Sequence, residues 1–217
     1  MPALKRAVAL LAAASVAVIT VLALGSSPAQ AVRPPGIPSA ATAQTELNAL
    51  TVASEANGDT YDRDLFPHWK AVSGTGSCTA RQYILKRDGT NVVTSDGCQP
   101  TSGSWQSDFD NATTTTVSNA TIDHVVALSE AWASGASEWT TAERQAFAND
   151  INSPQLWIAT TSANSSKSDY DPAEWMPSNS SVRCDYVKAW THVKYLYDLT
   201  VDSAEKAAIQ SHLNTYC

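Results

Sequence analysis

The sequence predicts an α+β fold in which a small antiparallel sheet packs against several helices and two disulfides close the loops. Short apolar runs between turn residues, at residues 122–128 and 156–160, are typical of buried strands. Thr-x-x-Glu and Asp-x-x-Glu spacings mark the starts of two helices. All four cysteines follow a secretory leader, and an even number in an oxidising compartment indicates disulfides.

Residues 1–31 have the three parts of a secretory signal peptide. Lys5 and Arg6 precede a long apolar stretch, and Ala29-Gln30-Ala31 gives a small-x-small cleavage site. A membrane anchor is the alternative, because the apolar stretch approaches the length of a span. The cleavage site and the absence of a basic stop-transfer cluster favour secretion. We therefore expect an extracellular protein that begins near Val32 and has no membrane segment in its mature form.

Removal of the leader leaves an acidic chain. The full sequence has a net charge of −7, and the loss of two leader cations takes the mature chain to −9. Stable, sequence-independent binding to a polyanion normally needs a basic face. A role on nucleic acid would therefore depend on a local basic patch, a bound metal or weak transient binding.

The four cysteines allow three pairings. Closure of the shorter loops favours Cys78–Cys98 and Cys184–Cys217. A zinc site would need closely spaced cysteine pairs, and the sequence has none.

The first half of the mature chain mixes helix, strand and loop. Composition and periodicity predict the following elements: a Pro- and Ala-rich extended lead-in at 32–41, a short helix at 42–53, strands at 81–86 and 91–94 around the turn Arg87-Asp88-Gly89, and a polar loop at 110–118.

Helices dominate the second half. The predicted elements are a short helix at 129–133, a helix at 141–149 after a capping box, the strand at 156–160, a short helix capped by Ser162, a loop at 170–181, a helix at 185–199 with an aromatic core stripe, and a last helix from the Asp202 capping box to about 213.

Asp123 and His124 stand side by side in the apolar strand at 122–128. Neighbouring strand residues point to opposite faces, so the two side chains can divide a task. Asp123, with the amide oxygen of Asn164, suits a hard divalent cation, and His124 suits the role of general base. The alternative is structural, with the histidine on a backbone carbonyl and the aspartate capping a turn.

The order of residues around this pair resembles the HNH, or His-Me finger, nucleases with their ββα-metal motif. More narrowly, it is similar to a secreted bacterial group related to the C-terminal domain of GmrSD restriction enzymes. The matching residues are Tyr61-Asp62-Arg63, Phe66, Trp69, Cys78, Cys98, Trp105, Asp123-His124, Ala131-Trp132, Arg144, Phe147-Ala148-Asn149-Asp150, Asn164, Lys167, Trp175, Pro177 and Cys184-Asp185-Tyr186.

The resemblance implies one HNH nuclease-like domain over residues 42–217 and a secreted, metal-dependent endonuclease of little sequence specificity. It implies that His124 is the general base and that Mg²⁺ or Mn²⁺ binds Asp123 and Asn164. The expected substrate is nucleic acid, with DNA favoured over RNA, and the expected state is a monomer. A disulfide-stapled binding module that has lost catalysis is the alternative.

The sequence departs from the family at one position. The family has an asparagine nine residues before Asn164, where this chain has Gln155. We expect Gln155 to orient the His124 ring, with Asn149 and Asn152 as alternatives. The remaining expectations are that Lys167 and Arg144 contact substrate phosphate and that the other histidines are structural or exposed. These are His68, His192 and His212.

Overall fold

The structure, a computed structural model, describes residues 32–217, so the predicted signal peptide lies outside the described residues. Helices and strands alternate irregularly along the described range, which confirms the predicted α+β class. The elements in chain order are α1 (Ala40–Ala49), α2 (Ala80–Asp88), β1 (Thr90–Thr94), β2 (Pro100–Gln106), β3 (Thr113–Thr114), β4 (Ala120–His124), α3 (Leu128–Ala133), α4 (Thr141–Ala148), β5 (Leu156–Thr160), α5 (Thr161–Lys167), α6 (Arg183–Leu196) and α7 (Ser203–Tyr216).

Two small antiparallel sheets form in this range. One has the order β1-β2-β3, and the other pairs β4 with β5. The register of the second sheet places Asp123 opposite Trp157 and His124 opposite Leu156. Because side chains alternate along a strand, Trp157 joins the larger core, whereas Leu156 joins a smaller core on the other face.

The larger core lies between the second sheet and the long helices. The aromatic stripe predicted for α6 is confirmed, since Tyr186, Trp190 and Val193 are fully buried. Phe109 stacks on Trp157, with ring centroids 5.6 Å apart. This packing gives β4 and β5 a rigid support, because burial of large aromatic side chains contributes much of a core's stability.

The strand predicted at 81–86 is wrong, because this segment is part of α2. Thr79 and Gln82 form a reciprocal capping box at the start of the helix. Strand β1 instead pairs with β2, a polar strand that the sequence analysis missed. Gly89 permits this arrangement because a Cβ there would lie 2.5 Å from Nε1 of Trp105.

Several predicted boundaries also shift. Helix α1 begins at Ala40 with Ser39 as its cap, so the lead-in is shorter than predicted. Helix α5 is capped by Thr160 rather than by Ser162: the Thr160 hydroxyl accepts a hydrogen bond from the Ala163 backbone N–H at 3.0 Å. Thr160 is also the last residue of β5, so the strand continues into the helix without a linker.

Both predicted disulfides are confirmed. Cys78–Cys98 joins the start of α2 to the connection between β1 and β2. Cys184–Cys217 joins the first turn of α6 to the residue that follows α7. Within residues 32–217, no helix has the length and hydropathy that a membrane span requires.

Candidate active site

The β4–β5–α5 unit brings Asp123, His124 and Asn164 to one cavity of about 350 Å³. Asp123 and His124 end β4, and Asn164 lies in the middle of α5. Tyr61, Arg63 and Asp169 also border the cavity. Its volume is within the usual range for small-ligand sites.

The Asp123 carboxylate is buried and lies against a buried cation. Its side chain contacts Lys167 of α5, whose Nζ lies 3.3 Å from Oδ1 and 3.1 Å from Oδ2. The ammonium donates hydrogen bonds to Oδ1 and to the His124 carbonyl oxygen, the latter at 2.9 Å. Oδ2 therefore feels the positive charge of Lys167 but accepts no hydrogen bond from any described residue.

Burial is the main influence on the acidity of Asp123. Desolvation raises the pKa of the Asp123 carboxyl, and the Lys167 ammonium opposes this shift. Buried polar atoms are nearly always hydrogen-bonded, so an open oxygen such as Oδ2 requires an explanation. A divalent cation would satisfy it, because carboxylate oxygen is a preferred ligand of Mg²⁺.

Asn164 provides a second oxygen at the same cavity. Its side chain is half-buried and makes no hydrogen bond to another described residue. A single carboxylate and an amide are too few to complete the shell of a cation. Mg²⁺ is commonly bound by one or two carboxylates together with water and substrate phosphate. The residues present therefore fit a divalent metal that is shared with a phosphate.

His124 is held by a backbone carbonyl at the end of α4. Its Nε2 lies 2.9 Å from the Ala148 carbonyl oxygen, with the ring buried. A carbonyl can only accept, so Nε2 carries the proton and Nδ1 has the free lone pair. Burial, assisted by the charges of Arg63 and Lys167, lowers the pKa of His124 to about 3. The imidazole is therefore neutral at neutral pH, with the lone pair of Nδ1 unprotonated.

Trp69 covers the His124 ring in an unusual backbone conformation. The two ring centroids are 5.3 Å apart with the planes inclined by 31°. Trp69 has a φ of 54°, a region that bulky residues rarely adopt. Asn149 holds the segment on both sides: Oδ1 accepts from the Lys70 backbone N–H at 2.7 Å, and Nδ2 donates to the Pro67 carbonyl at 2.8 Å. The end of α4 thus supports both His124 and its cover.

The expected role of Gln155 requires correction. Its amide makes both hydrogen bonds to the backbone of Val126, with Nε2 donating at 2.8 Å and Oε1 accepting at 3.1 Å. The side chain is fully buried and makes no hydrogen bond to the His124 ring, whose Nε2 contacts the Ala148 carbonyl instead. Asn149 does not contact the ring either, because its amide bonds to backbone groups, and Asn152 is exposed. The Ala148 carbonyl occupies the position expected for Gln155.

The sequence that builds this site is similar to known proteins. Residues 75–211 match the family described as GmrSD restriction endonucleases, C-terminal domain. The chain belongs to this family. It is also 50% identical over 199 residues to a protein of Arthroderma benhamiae named "Uncharacterized secreted protein", covering 92% of this chain and 97% of the relative. No solved structure matches the chain significantly.

These findings confirm two expectations. The resemblance to the C-terminal domain of GmrSD restriction enzymes is confirmed, which gives the chain a nuclease-related function. Secretion, predicted from residues 1–31, is confirmed by the secreted relative. The GmrSD match contains Asp123, His124 and Asn164, whereas Arg63 and Trp69 precede it. The cavity is therefore completed by a segment outside the matched region.

The two cations expected to meet substrate phosphate are both internal. Lys167 is 0% exposed and pairs with Asp123. Arg144 is 8% exposed and donates to the backbone carbonyls of Leu65, Ala136 and Trp139. Neither can reach a phosphate in solution. Helical spacing could not distinguish these buried cations from surface ones.

Arg63 is the site residue that the sequence analysis did not assign. Its side chain is exposed and borders the cavity. The motif Tyr61-Asp62-Arg63 was part of the family resemblance, but neither periodicity nor spacing indicates that it reaches the Asp123-His124 strand.

The other histidines hold structural contacts, as expected. His68 contacts the Phe66 carbonyl, His192 pairs with Glu46, and His212 contacts the Pro172 carbonyl. Apart from the cavity, three carboxylates of the described chain have ligand atoms within 4.8 Å of one another, and the middle one is buried: Glu55, Asp171 and Asp202. This acidic cluster includes none of the residues around Asp123.

Proposed function

We propose that this protein is a secreted, metal-dependent endonuclease that hydrolyses phosphodiester bonds in nucleic acid with little sequence preference. The observation that carries the proposal is Asp123 Oδ2, a buried carboxylate oxygen without a hydrogen bond, in a residue that lines the cavity together with Asn164 and the neutral His124. The family membership supports the same reaction class.

Each residue at the cavity has a defined task in this reaction. His124 takes a proton at Nδ1 from a water molecule, while the Ala148 carbonyl keeps the ring fixed through Nε2. Asp123 and Asn164 would hold Mg²⁺ or Mn²⁺. Such a metal supplies Lewis-acid polarisation of the phosphate and stabilisation of the leaving oxygen. Arg63 is the exposed cation available to contact the phosphate.

The acidic character of the chain fits transient rather than tight binding. The mature net charge of −9 opposes a polyanion, and a single exposed arginine at the cavity offers few phosphate contacts. DNA is the favoured substrate, and a monomer is the expected state.

A nicking assay tests the proposal. Supercoiled plasmid is incubated with the mature protein in Mg²⁺, in Mn²⁺ and in excess chelator, and matched RNA is tested in parallel. We expect nicked plasmid with 5′-phosphate ends in the presence of metal and intact plasmid with chelator. If folded protein cleaves no nucleic acid with either metal, the non-catalytic binding module becomes the better interpretation.

A further inference from the structure

Lys167 is a fully buried ammonium beside the carboxylate proposed to bind metal. It is 0% exposed, and its Nζ lies 3.1 Å from Asp123 Oδ2. Its Nζ also lies 3.3 Å from Asp123 Oδ1 and donates to the His124 carbonyl oxygen at 2.9 Å, and these contacts fix its position. Because the side chain is enclosed, its charge cannot turn away into solvent when a cation arrives.

We propose that Lys167 is an internal counter-ion that keeps the affinity for a free divalent cation low and makes metal binding depend on a bound phosphate anion. This inference rests on the proposed function and adds a regulation of that same site. Metal alone would bind weakly, and metal with a phosphodiester would bind cooperatively.

The charges at the cavity support this inference. Two acids, Asp123 and Asp169, and one base, Arg63, are the charged residues that border it in the described part of the chain. Lys167 beneath Asp123 makes the set electrically neutral. A divalent cation therefore meets no net negative charge, although Mg²⁺ sites normally depend on carboxylates and substrate phosphates for neutralisation.

The geometry makes the repulsion direct. A cation bound by Oδ2 shares that oxygen with an ammonium 3.1 Å from it. At an effective dielectric of about 20, a unit charge about 4 Å away changes affinity on the order of a thousandfold, and because solvent and protein relaxation reduce this, about tenfold is the smallest effect expected. A bound phosphodiester adds one negative charge and offsets this repulsion. By linkage, the metal strengthens phosphate binding by the same factor.

The first test uses the wild-type protein. Mn²⁺ affinity is measured by calorimetry or electron paramagnetic resonance alone, with a dinucleoside phosphorothioate, and with the uncharged methylphosphonate of the same sequence. We expect the anionic probe to tighten Mn²⁺ binding about tenfold or more, and the uncharged probe to have little effect. Equal Mn²⁺ affinity in all three conditions overturns the inference.

The second test removes the internal charge. Lys167→Met and Lys167→Gln should each bind Mn²⁺ at least about tenfold more tightly than wild type without any probe, and the tightening by the phosphorothioate should shrink. Lys86→Gln removes an exposed charge on α2 and is the matched control, expected to behave as wild type. Folded Lys167 variants with wild-type Mn²⁺ affinity contradict the inference.

The outcomes separate this inference from the proposed function. If the Lys167 variants fail to fold, the three-probe comparison on wild type decides alone. Tight, probe-independent Mn²⁺ binding by a protein that cleaves plasmid refutes the counter-ion role and leaves the nuclease. Absence of Mn²⁺ binding with every probe, together with absence of cleavage, refutes both.

Discussion

The carbonyl oxygen of Ala148 lies 2.9 Å from Nε2 of His124, and this contact determines which ring nitrogen can accept a proton. The next residue, Asn149, holds the loop that places the Trp69 ring 5.3 Å from the imidazole, between ring centroids. The last turn of α4 therefore fixes the direction and the tautomer of the proposed base without a side-chain partner for the ring.

Asn149→Ala should slow cleavage while leaving metal binding intact. The substitution removes the hydrogen bonds to Lys70 and Pro67, so Trp69 is no longer held over His124. Loss of such buried contacts is worth about 1–3 kcal/mol, and we expect a roughly ten- to hundredfold fall in rate. Plasmid nicking and Mn²⁺ titration measure the two effects. Asn152→Ala, at an exposed position, is the matched control, and an equal loss in both variants would contradict this role.

His124→Ala should abolish turnover but retain most of the metal affinity. The imidazole is assigned to the water molecule and Asp123 to the metal, so their alanine variants should differ. Removal of a general base typically costs about 10²–10⁴-fold in rate. Calorimetry with Mn²⁺ and probe should show binding in His124→Ala and a severe loss in Asp123→Ala. Equally severe loss in both variants shows that the two roles are wrongly assigned.

Gln155→Ala should reduce stability rather than the specific activity of the folded protein. The buried amide makes two hydrogen bonds with the Val126 backbone, and their removal leaves unsatisfied groups in the core. We expect a loss on the order of 2 kcal/mol in the free energy of unfolding, measured by denaturant titration. Gln145→Ala, at an exposed position of α4, should change stability little. A rate loss without a stability loss would return the orienting role to Gln155.

Arg63→Gln and Arg144→Gln should fail in different ways. The Arg63 variant should weaken substrate binding across sequences and reduce the slope of log affinity against log salt by about 1. The Arg144 variant should have a lower melting temperature than wild type. It lacks the guanidinium that donates to three backbone carbonyls and stacks on Trp132. Salt-dependent binding assays and calorimetry distinguish them, and an unchanged salt slope for Arg63→Gln excludes it from phosphate contact.

Replacement of both Cys184 and Cys217 by serine should lower stability while preserving activity well below the melting temperature. The disulfide spans 33 residues and joins the start of α6 to the end of α7. Loop-closure entropy predicts a loss of about 3–4 kcal/mol. Scanning calorimetry and nicking at 25 °C are the measurements. A variant with wild-type stability would show that helix packing alone holds the C-terminal end.

The elements at the site were predictable because their sequence signals are local. Strand β5 and the start of α4 follow from apolar runs and capping boxes. The segment at 81–86 was misassigned because Tyr83, Ile84 and Leu85 look like a strand. The capping box from Thr79 to Gln82 outweighs this pattern, and the true partner of β1 is a polar strand without an apolar signal.

The partners of the site residues were harder to predict because they depend on tertiary contacts. The carbonyl that holds His124 belongs to Ala148, and a backbone acceptor has no sequence signature. Lys167 and Arg144 have the composition of surface cations and differ only in where the packing places them. The spacing of Asp123, Gln155 and Asn164 indicated the right unit but not the role of Gln155.

Because β5 continues directly into α5 at Thr160, insertions and deletions in this part of the chain are constrained. Asp123 is on β4, and Asn164 lies four residues beyond the end of β5, the strand that pairs with β4. Their separation therefore depends only on strand register and one helical turn. An insertion or deletion that shifts the register of β4 against β5 would therefore separate Asp123 from Asn164. The loop after α5 can vary in length without moving either ligand.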